Sequence, residues 1–134
     1  MKMLLPDYDN AEGAAFRLLI KHGQNRLTVD LRALINGMGS VKVHTYAWFM
    51  KIFGLSRSEM IRYADSDSGC FYHMSNPERR LILYNEKIKS RGRVRWTIAH
   101  ELGHLVLRHF SKGVIPPDVY AVYEKEANCF ARSL

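Results

Sequence analysis

The sequence predicts an α+β domain in which helices pack on a small mixed sheet. Amphipathic, capped stretches occur towards both ends of the chain, and short β-branched or alternating segments lie between them. Apolar residues make up 47% and charged residues 25% of the 134 residues, a composition typical of globular domains. A chain of this length fits one core, so we expect residues 1–134 to form a single domain.

Two helices are predicted first. Residues 11–22 have apolar side chains at helical spacing, which predicts an amphipathic helix. A second helix is predicted within residues 28–39, where two glycines near the end stop it and either Thr28 or Asp30 caps its start.

The middle of the chain alternates strand and helix signals. Residues 41–45 are β-branched and alternating, which predicts a strand. Residues 46–54 are apolar throughout, and periodicity cannot decide between a buried helix and a strand. Ser56 and Glu59 have the spacing of a capping box, so a short helix is predicted from Ser56 to about Ala64.

Two further strands and a last helix complete the predicted elements. Residues 70–74 and 80–86 predict two strands, and the turn-forming residues 75–79 between them predict a hairpin. Near the C-terminus, residues 118–132 predict a helix, because Pro117 is well suited to a first helical turn.

The longest helix is predicted around "RWTIAHELGHLVLRHF", which places His100 and His104 four residues apart with Glu101 between them. On a helix, this spacing allows both imidazoles to reach one ion. A catalytic zinc takes three protein ligands and a water, and a neighbouring carboxylate can act as general base on that water. The sequence therefore predicts two metal ligands and a base, Glu101.

The rest of this helix supports a cleft-lining role. Its apolar residues cover most of the circumference, which leaves one narrow polar stripe that contains both histidines. His109 points to the opposite side of this helix from His100 and is excluded from the same ion. The stripe comprises Arg93, Thr97, His100, Glu101, His104 and Arg108.

A third ligand is predicted on the last helix, in "YEKEANCF". Helical geometry puts Glu126 on the apolar face and Glu124 on the polar face with solvent. A buried carboxylate needs a partner, and a metal ion is one such partner. The alternative is an ion pair of Glu126 with Arg93 or Arg108.

"RVRWTIAHELGH" followed by "EKEANCFA" resembles the ImmA/IrrE family of zinc metallopeptidases. The resemblance implies a zincin-like fold, zinc as cofactor, His100, His104 and Glu126 as ligands, and Glu101 as catalytic base. It further implies a cytoplasmic protease that cleaves a helix-turn-helix repressor or another regulatory protein. Members of the family are often encoded by phages or mobile elements.

A zinc endopeptidase also needs a group that stabilises the oxyanion. Arg108, on the ligand stripe, and Tyr123, one turn before Glu126, are the candidates, and packing is the alternative role for each. An extended substrate is expected to pair with a strand of the predicted hairpin.

Two other functions remain open. The chain ends soon after the second motif, at "FARSL", which favours a metal-bearing regulator that binds a repressor without cutting it. The net charge of +7, with a basic segment at residues 87–95, is the one feature that favours direct nucleic-acid binding. Neither a secretory signal nor a membrane span is predicted, and two isolated cysteines are expected as reduced thiols in a cytoplasmic protein.

Overall fold

The computed structural model of the chain describes residues 4–23, 29–73, 79–109 and 115–134. These residues form six helices and three strands, which confirms the α+β class. In chain order they are α1 (Tyr8–Lys21), α2 (Leu31–Met38), β1 (Val41–Thr45), α3 (Tyr46–Phe53), α4 (Arg57–Ala64), β2 (Gly69–His73), β3 (Arg80–Tyr84), α5 (Arg91–Val106) and α6 (Pro117–Arg132). No helix of the described segments is both long and apolar enough to cross a membrane.

The three strands form a mixed sheet in the order β1-β3-β2. β1 runs parallel to β3, with Val43 opposite Ile82, and β2 runs antiparallel to β3, with Phe71 opposite the same residue. β2 and β3 therefore pair as the predicted hairpin does, although the residues that join them, 74–78, lie outside the described segments. In this sheet β2 is an edge strand, and it lies beside α5.

Successive side chains of β3 point to opposite faces of the sheet and divide the core in two. Ile82 packs into a large cluster with α1, α2, α5 and α6. Leu81 and Leu83 pack into a smaller cluster with α3 and α4. Because β3 is covered on both faces, all three of these residues are buried.

Helices α5 and α6 approach each other closely at Gly103. A Cβ atom there would lie 3.2 Å from the Ala127 backbone and 3.1 Å from the Phe130 ring. Both partners are fully buried, so a larger side chain would have to push the helices apart. The glycine of the His-Glu-Leu-Gly-His sequence thus sets the distance between the histidines of α5 and the side chains of α6.

Capping groups fix the helix boundaries in the first half of the chain. α1 starts at Tyr8, three residues before its predicted start, because the Asp7 carboxylate accepts a hydrogen bond from the Asn10 backbone. Asp30 is the cap of α2 and Gly39 ends it in the left-handed conformation, whereas Thr28 lies outside the described residues.

Capping groups also determine the structure of residues 46–54, for which periodicity could not decide between a helix and a strand. Residues 46–53 form a helix, because the Thr45 hydroxyl accepts from the Trp48 backbone and Gly54 provides a left-handed end. The predicted capping box of Ser56 and Glu59 is present at the start of α4. The predicted strand at residues 41–45 and the predicted last helix are also confirmed.

Candidate metal centre

Three side chains from α5 and α6 converge on one point. His100 Nε2 and His104 Nε2 lie 3.1 Å apart, and the Glu124 carboxylate lies 2.9 Å from His104 Nε2 and 3.2 Å from His100 Nε2. The helical spacing of the histidines brings both rings to the same side of α5, as the sequence predicts. The carboxylate comes from the facing side of α6.

This donor set fits a tetrahedral metal ion. Donors about 2.0–2.1 Å from such an ion lie roughly 3.3 Å apart, which is close to the separations observed here. Two imidazole nitrogens and a carboxylate oxygen can each present a lone pair to one point, so the cluster could hold a metal ion. Two histidines and a glutamate are also a typical ligand set for a catalytic zinc with one open position.

The non-ligating nitrogen of His100 has its own partner. His100 Nδ1 lies 2.7 Å from Asn128 Oδ1, where an Nδ1–H group donates to the amide oxygen. Such a hydrogen bond holds the ring and would leave Nε2 available to a metal ion. Asn128 follows Glu124 by four residues on α6, so one stripe of this helix supplies both the carboxylate and the orienting amide.

Glu101 lies beside the pair of histidines in a protected position. Burial raises the pKa of its carboxyl to about 7, with His100 opposing the shift and Glu124 adding to it. A carboxyl that titrates near neutral pH is well matched to taking up and releasing a proton. Burial and the proximity of Glu101 also raise the pKa of the Cys70 thiol, to about 12, which keeps it protonated and unreactive.

The charges within the cluster are shared unequally. Burial alone would lower the pKa of His100, but the hydrogen bond and charge of Glu124 outweigh it and raise that pKa. His104 is only 1% exposed, and burial holds its pKa below the ordinary value despite the same carboxylate. Burial would raise the pKa of Glu124, yet its hydrogen bonds to both histidines lower it well below the usual range. Of the two rings, His100 is therefore the one whose protonated form the cluster favours.

The cluster lines a cavity of about 590 Å³. The cavity lies between α5, α6, the edge strand β2 and the end of α4, which leaves the ion position accessible from outside. Its lining residues are Ala64, Asp65, Ser66, Ser68, Gly69, Cys70, Phe71, Arg93, Trp96, Thr97, His100, Glu101, His104, Tyr120, Glu124 and Asn128.

A second histidine–glutamate pair lies behind the first. His109 Nδ1 is 2.9 Å from His104 Nδ1, and His109 Nε2 is 2.9 Å from Glu126 Oε1. The other oxygen of Glu126 accepts a hydrogen bond of 2.7 Å from the Asp7 backbone N–H, at the start of α1. Tyr123 stacks on the His109 ring with its centroid 4.1 Å away.

The predicted third ligand therefore requires correction. Glu126 contacts His109 and α1, and the carboxylate at the histidine pair is that of Glu124, which the helical projection had assigned to solvent. The projection was misleading because α6 packs between two helices, α5 and α1, and both flanks are partly buried. Glu126 also pairs with neither Arg93 nor Arg108, the alternative partners that the sequence suggested.

The predicted orientation of His109 is wrong for a different reason. α5 ends at Val106, and Arg108 adopts the left-handed conformation with φ 59°. The His109 N–H bonds to the His104 carbonyl at 2.9 Å and the Arg108 N–H to the Leu105 carbonyl at 3.3 Å, the pattern of a Schellman motif. The chain turns back at this motif, so His109 lies against His104 instead of opposite it.

The two predicted oxyanion-stabilising residues are not placed at the cavity. Arg108 is exposed at the helix end, and Tyr123 stacks behind His104. Tyr120, one turn before Glu124, lines the cavity instead, and burial followed by the charge of Glu124 raises the pKa of its hydroxyl. The spacing Tyr120, Glu124, Asn128 repeats every four residues, a signal in the sequence that matches the spacing of the two histidines.

A second cavity, of about 840 Å³, lies on the opposite side of α5. It is bounded by α2, β1, α5 and the segment before α5, and the stacked rings of His44 and Trp48 form part of its wall. The basic segment predicted at residues 87–95 contributes to it. The cationic side chains of its lining are Arg32, Lys42, Lys89, Arg91 and Arg95.

Comparison with protein families gives one match. The family described as IrrE N-terminal-like domain, Peptidase_M78, matches residues 56–134, which include α4, the β2–β3 pair, α5 and α6. All residues of the histidine–glutamate cluster lie within this segment. Neither the curated proteins nor the solved structures gave a match.

Proposed function

Since the chain belongs to the IrrE N-terminal-like domain family and has a metallopeptidase-type function, we propose that it is a zinc-dependent endopeptidase. One observation carries this proposal: the donor atoms of His100, His104 and Glu124 converge at the separations that a tetrahedral ion requires. The ligands and the identity of the metal are part of the proposal.

The side chains around the cluster have separate roles in peptide hydrolysis. Zinc, when bound, would polarise the scissile carbonyl and lower the pKa of a water. Glu101 would take the proton from that water and deliver it to the leaving amine, because its carboxylate lines the cavity together with both histidines. Asn128 holds His100 in the orientation that its ligand role needs.

Tyr120 is the candidate for stabilising the oxyanion. Its phenol lines the cavity on the same stripe of α6 as Glu124, and its raised pKa keeps the hydroxyl protonated and able to donate. Tyr120 is half exposed, so its ring has room to turn towards a bound peptide.

The substrate is proposed to be a regulatory protein such as a helix-turn-helix repressor. An extended segment of it would lie along β2, whose residues Gly69, Cys70 and Phe71 line the cavity at an edge of the sheet. Edge strands bind extended peptides through main-chain hydrogen bonds, which would place one peptide bond over the cluster.

The test compares wild type with Glu101→Gln. Both proteins are loaded with zinc and incubated with unfolded casein and, separately, with any helix-turn-helix repressor that is encoded beside the gene. Glu101 is not a proposed ligand, so the variant should bind zinc as tightly as wild type while cleavage falls at least about 100-fold. Cleavage that survives in the variant, or in wild type with a chelator, contradicts the proposed chemistry.

A metal-bearing regulator that binds without cutting remains the second candidate, and the basic cavity favours it. Five cationic side chains line one cavity on the far side of α5 from the cluster, which would attract an acidic partner. If wild type captures the repressor intact, and Lys89→Glu or Arg95→Glu weakens capture more at low than at high salt, this function is favoured. Equal capture by both charge-reversal variants contradicts it.

A further inference from the structure

The hydrogen bonds behind His104 form a continuous chain of four groups. The first bond joins His104 Nδ1 to His109 Nδ1 at 2.9 Å, and the second joins His109 Nε2 to Glu126 Oε1 at 2.9 Å. The third joins the other Glu126 oxygen to the Asp7 backbone N–H at 2.7 Å. Both imidazoles are almost completely buried, at 1% and 3% exposure. The chain links the candidate metal centre to the start of α1, more than ninety residues away in the sequence.

The direction of the protons along this chain is determined at its far end. An ionised carboxylate can only accept, so His109 Nε2 must carry a proton for its bond to Glu126. A neutral imidazole carries one proton, so a His109 ring that donates from Nε2 has a bare Nδ1, 2.9 Å from His104 Nδ1. A bare nitrogen can only accept, so His104 donates from Nδ1. Its Nε2 then has a lone pair when a metal ion takes the place of the proton that the Glu124 carboxylate, 2.9 Å away, would otherwise accept.

We propose that His109 and Glu126 are positioning residues that hold His104 in the tautomer whose Nε2 lone pair faces the metal. This inference rests on the proposed metal centre and adds an outer layer to it. Ligating histidines usually donate their second N–H to a carboxylate, a carbonyl or water. Here His109 lies between the proposed ligand His104 and the Glu126 carboxylate and is hydrogen-bonded to both.

The local fold provides for this arrangement. The Schellman motif at the end of α5 turns the chain so that His109 lies against His104. This turn requires Arg108 to adopt the left-handed backbone conformation, which is unfavourable for a residue with a side chain. Tyr123 stacks on the His109 ring at an interplanar angle of 8°, which restricts its rotation. Glu126 is held at both oxygens, by His109 and by α1.

The first test needs no variant. Long-range ¹H–¹⁵N NMR of the zinc-loaded protein at pH 8 reports which ring nitrogens of His104 and His109 carry a proton. The proposal predicts a proton on His104 Nδ1 and, in His109, on Nε2 alone. A proton on His109 Nδ1, or none on His104 Nδ1, overturns the proposal.

The second test separates positioning from packing. His109→Leu fills the space without an acceptor, so zinc affinity should fall about 10–100-fold, the usual effect of losing an outer partner of a ligand. His109→Gln retains an acceptor and a donor on one amide and should recover most of that affinity. The matched control is Phe49→Leu, a change in the separate core cluster of α3 and α4 that should lower the melting temperature without changing zinc affinity.

The measurements are zinc competition with a chromophoric chelator and the visible spectrum of the cobalt-substituted protein. A wild-type cobalt spectrum together with wild-type zinc affinity in His109→Leu overturns the positioning role. If His109→Leu does not fold, the comparison of His109→Gln with wild type and the tautomer measurement decide. Wild type that binds no zinc would contradict the proposed function, whereas wild type that binds zinc with a proton on His109 Nδ1 would contradict the positioning role alone.

Discussion

Glu124 and Glu126 are two residues apart on one helix, yet they lie in different environments. Glu124 faces α5, contacts both histidines of the cluster, and its side chain is 34% exposed at the open cavity. Glu126 faces the junction of α1 with the end of α5, contacts His109 and the Asp7 backbone, and its side chain is 14% exposed. The more buried carboxylate is thus the structural one, and the more accessible carboxylate is the candidate ligand.

This difference shows why burial is a poor guide to a catalytic ligand. A catalytic metal keeps an open coordination position, so its ligands must line a cavity. A carboxylate that orients a ligand from behind has no such requirement, and it is protected best where water is excluded. The apolar residues around Glu126 in the sequence are therefore typical of a carboxylate that orients a ligand from behind.

The largest expected effect is on zinc affinity. Zinc sites in small domains are worth about 10–16 kcal/mol, so one ligand of three or four contributes roughly 3–4 kcal/mol, and Glu124→Ala should weaken zinc about 100- to 1,000-fold. Glu126→Ala should weaken it about 10-fold, because it removes only an outer partner. Chelator competition measures both, with exposed Lys125→Ala as control. The opposite ranking would restore Glu126 as the ligand.

The next effect concerns Glu101 in the metal-free protein. Its carboxyl loses its proton near pH 4.5 when unfolded but near pH 7 when folded, so the free energy of unfolding falls as pH rises through this window. Glu101→Gln removes this penalty and should stabilise the metal-free protein by up to about 3 kcal/mol at pH 8. At pH 4 the gain should disappear. Urea unfolding at both pH values measures it, and equal effects at the two would contradict the buried position of Glu101.

A smaller effect is expected on the free energy of unfolding of the metal-free protein, where Glu126 should matter more than Glu124. Without metal, Glu126→Ala leaves the Asp7 N–H and the His109 Nε2–H without their acceptor, which should lower the free energy of unfolding by about 1–3 kcal/mol. Glu124→Ala removes a partly exposed ion pair and should cost about 1 kcal/mol or less. Urea unfolding with excess chelator gives both values. Equal losses of unfolding free energy in the two variants would contradict the difference between the environments of Glu124 and Glu126.

The smallest effect is at the turn that brings His109 back. Arg108 has φ 59°, a left-handed conformation that costs a non-glycine residue about 1–2 kcal/mol. Arg108→Gly removes this strain but adds backbone entropy to the unfolded chain, so it should stabilise the protein by at most about 1 kcal/mol and leave zinc affinity unchanged. Arg108→Val should destabilise it, because a β-branched residue is strained there. Thermal unfolding of the two variants decides. Similar melting temperatures would argue against the Schellman turn.

Local signals predicted the elements of this fold well. The capping box at Ser56, the alternation at residues 41–45 and Pro117 before the last helix each depend on a few neighbouring residues, and each is confirmed. Residues 46–54 could not be assigned, because their apolar side chains fit either structure and only the caps at Thr45 and Gly54 favour a helix.

The site was predictable only where one helix determines it. The four-residue spacing places His100 and His104 on one side of α5 without any tertiary information. The choice between Glu124 and Glu126 depends on which flank of α6 faces α5 and which faces α1, and an apolar pattern cannot distinguish two buried flanks. The position of His109 depends on where α5 ends, and no glycine marks that end.

The most direct measurement is the anomalous diffraction of zinc-soaked crystals, collected on both sides of the zinc absorption edge. The account predicts one peak within about 2.0–2.2 Å of His100 Nε2, His104 Nε2 and a Glu124 oxygen, with Glu126 still bonded to His109. A peak bonded to Glu126, or one that Glu124 does not touch, would contradict it.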